Sequence, residues 1–225
     1  MLARRHLAAL LGPLLALISF CFAPPTSAQP ASPVREYDVV LDTIALSGRP
    51  ARLVFALTNG DTGANALVQI SQFTTNGSIG ANRTVRGNVI GSLDTAILLD
   101  DRSGMVTDYV QTDAVLGTRL SFHVKTTDLH AAPDKPHDAF SFHVLNAQAK
   151  TALVATSDPT RANAVFFLEL GRDDPSKRVT LFQRDLYQSV YSWSATVTPV
   201  PEPAAMTAAV AALGALALLR RRSIR

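Results

Sequence analysis

Cysteine is nearly absent from the chain: Cys21 is the only one in 225 residues. It falls inside an apolar leader that is expected to be removed. The mature protein then has no thiol for a disulfide, a thiolate metal site or a cysteine nucleophile. Signatures of catalysis are missing as well. There is no Gly-x-Ser-x-Gly elbow, no Gly-rich phosphate loop and no His-Glu-x-x-His pair. The acidic doublets Asp100-Asp101 and Asp173-Asp174 are sequence neighbours, and on a strand neighbours point to opposite faces. That does not suit acid–base work across a cleft of about 5–10 Å. We expect no catalytic residue and no cofactor. No amphipathic helix longer than two turns is visible, and the one stretch with room for a short helix is Gly104–Thr112.

A concentrated basic face is also lacking, although the sequence pI is about 9.3. Arg4 and Arg5 lie near one end and Arg220, Arg221, Arg222 and Arg225 at the other. The body between them, residues 29–200, holds 15 basic and 17 acidic residues. Its basic residues are scattered, with no run longer than Lys177-Arg178. Neutralising a phosphate backbone needs clustered Lys and Arg, so a nucleic-acid partner is excluded.

What is present begins with two apolar ends. Residues 1–28 carry a charged start (Arg4, Arg5, His6), an apolar run (Leu7–Phe22) and a short polar stretch that closes on small residues at Ala28. These are the parts of a secretory signal peptide, read by the Sec translocon and cut by signal peptidase after Ala28. Lipidation at Cys21 is excluded because bulky Phe20 stands where a small residue is required.

At the other end, residues 199–225, Pro201-Glu202-Pro203 precedes sixteen apolar or small residues, Ala204–Leu219, and then Arg220-Arg221-Arg222. The prolines keep the triplet extended and outside the following helix. The helix 204–219 spans about 24 Å, marginally short of a bilayer core. The arginines stop translocation and stay cytoplasmic. The three parts in this order resemble the PEP-CTERM sorting signal of Gram-negative bacteria. The resemblance implies that Pro201, Glu202 and Pro203 are the motif read by an exosortase, a membrane-embedded enzyme that processes the C-terminus, and that Arg220, Arg221 and Arg222 are the stop-transfer cluster. It also implies an organism that makes exopolysaccharide.

The body of about 170 residues is long enough to bury roughly 70% of its unfolded surface in one core. Short alternating runs fill it: Tyr37, Val39, Leu41; Leu53, Phe55, Leu57; Val68, Ile70; Leu120, Phe122, Val124; Phe140, Phe142, Val144; Phe166, Leu168, Leu170; and Tyr191, Trp193, Ala195. Gly, Asn, Asp and Pro punctuate them, as in Asn59-Gly60-Asp61 and Asn76-Gly77. Period-two runs of this length predict about ten half-buried strands and an all-β antiparallel sandwich over residues 29–198, of jelly-roll type. Ser121-Phe122-His123-Val124 recurs as Ser141-Phe142-His143-Val144, and the polar segment between them predicts that the two copies are the arms of one hairpin. The body also resembles a group of uncharacterised PEP-CTERM proteins with a single β-rich domain, through Tyr37–Thr43, Leu53-Val54-Phe55, Asp108–Gln111 and Gly117–Phe122. That resemblance implies no activity.

Within such a hairpin His123 and His143 share an outer face, with His130, His137 and Asp138 in the loop between. As a zinc site this is incomplete without ligands from the loop, so no metal site is assigned. Asn59, Asp61 and Asn65 form one candidate calcium run, and Asp94, Asp100 and Asp101 another. Neither follows an established calcium loop. Tyr187, Tyr191 and Trp193 are the aromatics available for stacking on sugars, although a lone Trp in a late strand is more often a core residue. The expected function is an exported cell-surface or extracellular-matrix protein, processed by exosortase and associated with exopolysaccharide, held in the inner membrane through helix 204–219 until it is cut. The alternative is a carbohydrate-binding module with calcium as an assisting ion.

Overall fold

The computed structural model describes residues 34–61, 63–127, 135–172, 174–186 and 191–201, and these contain twelve strands and no α-helix. In chain order the strands are β1 (Val34–Asp42), β2 (Pro50–Thr58), β3 (Leu67–Thr75), β4 (Ser78–Arg86), β5 (Asn88–Gly91) and β6 (Ala96–Asp100), followed by β7 (Thr107–Val115), β8 (Arg119–Thr127), β9 (Ala139–Asn146), β10 (Phe166–Glu169), β11 (Val179–Leu181) and β12 (Ser194–Pro199). They form two six-stranded sheets, ordered β12-β1-β8-β3-β6-β5 and β11-β10-β9-β2-β7-β4. Every pairing is antiparallel.

Alternation decides which side of each strand is buried. Tyr37, Val39 and Leu41 of β1 face inward, while Asp38 and Asp42 face solvent. β8 buries Leu120, Phe122 and Val124, and β9 buries Phe140, Phe142 and Val144. Apolar side chains from both sheets make one core. At its centre the Phe122 ring of the first sheet meets Phe142 and Phe55 of the second at 5.1 and 5.3 Å, both edge-on. Edge-to-face contact places the positive rim of one ring on the negative face of another, which adds about 0.5–1.5 kcal/mol per pair beyond burial.

Two sequence expectations are corrected. The repeated Ser-Phe-His-Val segments are not the arms of a hairpin: β8 pairs with β1 and β3, β9 pairs with β2 and β10, and the two lie in opposite sheets. Their phenylalanines face each other across the core because each strand brings the same inward pattern to a different sheet. Gly104–Thr112, the stretch with room for a short helix, instead leads into β7 from Thr107, with Asp108, Val110, Thr112 and Ala114 buried. Two polar residues on the inward face hide its period-two pattern.

Strands cross between the sheets at both ends. At one end β7 continues into β8 through Leu116-Gly117-Thr118, and β3 continues into β4 through Asn76-Gly77. Chains that pass from sheet to sheet in this way form the corners of a sandwich. Asn76 holds this corner together. Its Oδ1 accepts from the amides of Thr118 and Arg119 at 2.8 and 3.2 Å, and its Nδ2 donates to the Thr118 hydroxyl at 2.7 Å. A Cβ on Gly77 would lie 2.1 Å from the Val115 carbonyl oxygen, so only glycine lets the two crossings touch. At the other end of the same strands, Asn59–Ala66 carries the chain from β2 in the second sheet to β3 in the first.

Candidate functional site

The residues assigned to targeting fall mostly outside the described residues. Ala28, Glu202, Pro203, Arg220, Arg221 and Arg222 lie there, as do the whole leader and segment 204–219; Pro201 is described. Among the described residues no helix is long and apolar enough to cross a membrane.

The strand histidines face away from each other. On the outer face of the first sheet, His123 donates from Nδ1 to Asp38 at 2.9 Å, and its Nε2 lies 3.4 Å from Glu36, which also meets Lys125 at 3.2 Å. On the outer face of the second sheet, the His143 Nδ1–H donates to the Ala162 carbonyl at 3.1 Å. That tautomer leaves Nε2 to accept from the Ser141 hydroxyl at 3.0 Å. Burial pushes the His143 pKa down and keeps the ring neutral, against the opposing pull of the Ala162 carbonyl and Asp158. A hydroxyl on a neutral imidazole is the first half of a nucleophile–base pair. Here Ser141 is only 9% exposed, and a backbone carbonyl occupies the place of an orienting carboxylate. The pair holds neighbouring residues of one strand together and presents no nucleophile to a substrate.

Two surface hollows lie on the outer face of the first sheet. A shallow trough of about 560 Å³ is lined by Thr74, Thr75, Asn76, Thr118, Arg119 and Ser121. A second, of about 420 Å³, continues past Thr118 and Arg119 to Val40, Asp42, Ile44 and Thr196. Hydroxyls make up most of the first lining, and the second mixes Thr118 and Thr196 with the apolar Val40 and Ile44. Of the aromatic residues available for stacking on sugars, Trp193 is buried in the core, and the guanidinium of Arg49 sits 4.0 Å over the half-buried Tyr191 ring. Tyr187 is outside the described residues.

The second sheet crossing brings together residues that the sequence left in separate runs. Asp101 follows β6 and is 1% exposed; its Oδ2 accepts from the amides of Asn65 and Ala66 at 3.2 and 3.0 Å. Asp138, just before β9 and 4% exposed, accepts from the amide of Gly60 at 2.8 Å. Asp61 accepts from the amide of Gly63 at 2.6 Å through Oδ1 and from Asn65 Nδ2 at 3.0 Å through Oδ2. Gly60 belongs here for its missing side chain, since a Cβ would lie 2.3 Å from the His137 carbonyl oxygen. Burial raises the pKa of Asp101, and the nearby charges of Asp100 and Asp61 add to it. Burial likewise raises Asp138, with Asp61 and Asp101 adding to it. Asp100 does not join the group: it takes the Arg102 guanidinium at 2.7 and 2.8 Å, which holds it below the ordinary carboxylate range. The sequence named Asp61, Asp101 and Asp138 in three separate runs, and nothing in it indicated that they would meet, because they lie on three different connections.

Two buried oxygens in this group have no donor: Oδ1 of Asp101 and Oδ1 of Asn65. Among the described residues no three His, Cys, Asp or Glu side chains converge closely enough to hold a metal between themselves. Compared with protein-family models, with curated proteins and with solved structures, the chain matches none.

Proposed function

We propose that this is an exported cell-surface or extracellular-matrix protein whose β domain is released by exosortase and works beside exopolysaccharide without catalytic chemistry. The observation that carries the reading is where the fold stops. β12 is the edge strand of the first sheet and pairs with β1 as far as Pro199. The Val200 amide then donates to the Glu36 carbonyl at 2.9 Å, and Pro201-Glu202-Pro203 begins at the next residue. A cut at the triplet removes no described strand. A cut after Ala28 is equally harmless, since β1 begins at Val34. Both processing points flank the described strands at the same edge pair, so neither cut would remove a described strand.

In this reading the Sec translocon and signal peptidase handle the leader. Segment 204–219 forms the transmembrane helix that holds the chain in the inner membrane, and Arg220, Arg221 and Arg222 stop its passage. Glu202, between Pro201 and Pro203, is the residue exosortase recognises. The two-sheet body is of jelly-roll type. The placement of Trp193 and Tyr191 favours a matrix role over a carbohydrate-binding module, because stacking on sugars needs an exposed aromatic face.

Glu202→Ala tests the reading. It leaves hydrophobicity and the arginine stop unchanged, so a plain anchor is indifferent to it. The expected outcome is an intact C-terminus at Arg225 and retention in the inner membrane, against a shortened, released wild type. Cell fractionation and mass spectrometry of the C-terminus measure both. Identical C-termini in wild type and variant would overturn the sorting assignment.

A further inference from the structure

We propose that the hollows at one end of the first sheet form a single groove for an acidic polysaccharide, in which Arg119 takes a sugar carboxylate and flanking hydroxyls take sugar hydroxyls. The inference names a ligand class for the matrix reading above and rests on it. Continuity is the first observation. The trough at Thr74 and Ser121 shares Thr118 and Arg119 with the hollow at Val40 and Thr196. That hollow shares Asp42 and Ile44 with a third, of about 270 Å³, which reaches Ser192, Trp193 and Ser194. The groove therefore crosses β3, β8, β1 and β12, which are neighbours in that order. Three strand spacings of about 4.8 Å put roughly 14 Å between the outer strands.

Unspent polarity is the second observation. Arg119 is exposed, and among the described residues its guanidinium takes no carboxylate, although Asp42 lies opposite it in the register of β1 and β8. The exposed hydroxyls of Ser192, Ser194 and Thr196 likewise make no hydrogen bond among the described residues. Thr74 and Ser121 bond to each other at 2.7 Å, a pairing that still keeps one O–H and several lone pairs free.

This lining selects the ligand. β1 and β8 are paired on both sides, so a peptide cannot join the middle of the groove as an added strand. One guanidinium next to one carboxylate cannot neutralise a run of phosphates. A sugar chain fits, because its hydroxyls both give and take hydrogen bonds, as the lining does. The guanidinium fork matches a carboxylate. Asp42, one strand away, repels a second carboxylate, so the acidic sugars must alternate with neutral ones. Trp193 is 8% exposed and offers no face for stacking, which leaves hydrogen bonds and charge to hold the chain.

The test titrates the purified protein by calorimetry with two hexasaccharides: hyaluronan, which alternates uronate with N-acetylhexosamine, and neutral maltohexaose. The expected Kd for the acidic sugar is below about 1 mM, with the neutral one at least about tenfold weaker, as one charge-assisted bond requires. Arg119→Gln should weaken acidic binding about tenfold or more and erase the preference for acid. Arg86→Gln removes an exposed guanidinium from β4 in the other sheet and should leave binding within about twofold of wild type. Both side chains are exposed, so urea midpoints should match wild type. No acidic binding at about 10 mM, ten times that Kd, would overturn the proposal. So would equal binding of the neutral sugar, wild-type binding in Arg119→Gln, or equal losses in the two arginine variants, which would mean diffuse attraction to charge. Binding is read on purified protein and sorting on C-termini. A wild type that is processed but binds neither sugar removes this ligand and keeps the sorting assignment; one that binds without being processed does the reverse.

Discussion

The two places where strands pass between the sheets do the same mechanical job with opposite chemistry. At the corner of Asn76 and Gly77, a neutral amide satisfies the Thr118 and Arg119 backbone amides, and glycine allows contact between the crossings. At the far end of the same strands, carboxylates satisfy the amides of Gly60, Gly63, Asn65 and Ala66. Asparagine shows at the first crossing that such amides can be held without charge. The charge at the second is therefore not required to hold the backbone, and burying it carries a desolvation cost of its own. The comparison separates a corner held by a neutral amide from one held by buried carboxylates.

The largest effect expected comes from the neutral corner. In Gly77→Ala the new methyl group would lie 2.1 Å from the Val115 carbonyl oxygen, a backbone atom that cannot swing away. Both crossings must separate, at a cost of about 3 kcal/mol, read as a lower denaturant midpoint in urea. A loss below about 1 kcal/mol would show that the corner is not a tight joint. Next comes Asn76→Ala, which strips an acceptor from two amides and a donor from the Thr118 hydroxyl. Because water reaches this exposed site, the expected loss is smaller, about 1–2 kcal/mol.

A third prediction isolates what burial alone does to an ionisable group, away from both crossings. Burial lowers the pKa of His143, opposed by the Ala162 carbonyl and Asp158. The unfolded chain then binds a proton more readily than the folded one. Stability from this residue is complete above the unfolded pKa of about 6.5 and is lost as pH falls from there toward the depressed folded value. The slope is at most about 1.4 kcal/mol per pH unit, the limit for one proton. His143→Gln should remove that slope in urea titrations between pH 7 and 5. An unchanged slope in the variant would assign the acid sensitivity to other groups.

The sequence made the inward alternation of β1, β2, β8 and β9 visible, because large apolar side chains stand at every second position. It did not reveal β4, which is exposed at nearly every position and keeps its place through hydrogen bonds to β7. Nor did it reveal β7, whose inward face carries Asp108 and Thr112. Period two identifies the side of a strand that is buried but not the strand's neighbours. For that reason Phe122 and Phe142 were placed on the correct face and in the wrong partnership. The acidic group was invisible for a related reason. Asp61 with Asn65, Asp101, and Asp138 each look like ordinary turn residues until pairing of β6 with β3 and of β9 with β2 brings their connections together.

The smallest expected effect is the one that separates the two crossings most sharply. At neutral pH, Asp101→Asn imitates at the charged end what Asn76 does at the neutral one. The amide oxygen can still accept from the Asn65 and Ala66 amides, so the backbone keeps its bonds. What disappears is a buried charge, raised in pKa by its own burial and by Asp100 and Asp61. What is added is an amide NH₂ where the carboxylate had an oxygen without a donor. Relief of desolvation and like-charge repulsion offsets the loss of charge-assisted bonds to two amides, and the net change should lie within about 0.5 kcal/mol, with either sign. Urea unfolding of both proteins measures it. A destabilisation of about 2 kcal/mol or more would show that the carboxylate itself holds the crossing together, and the distinction between a corner that needs charge and one that does not would fail.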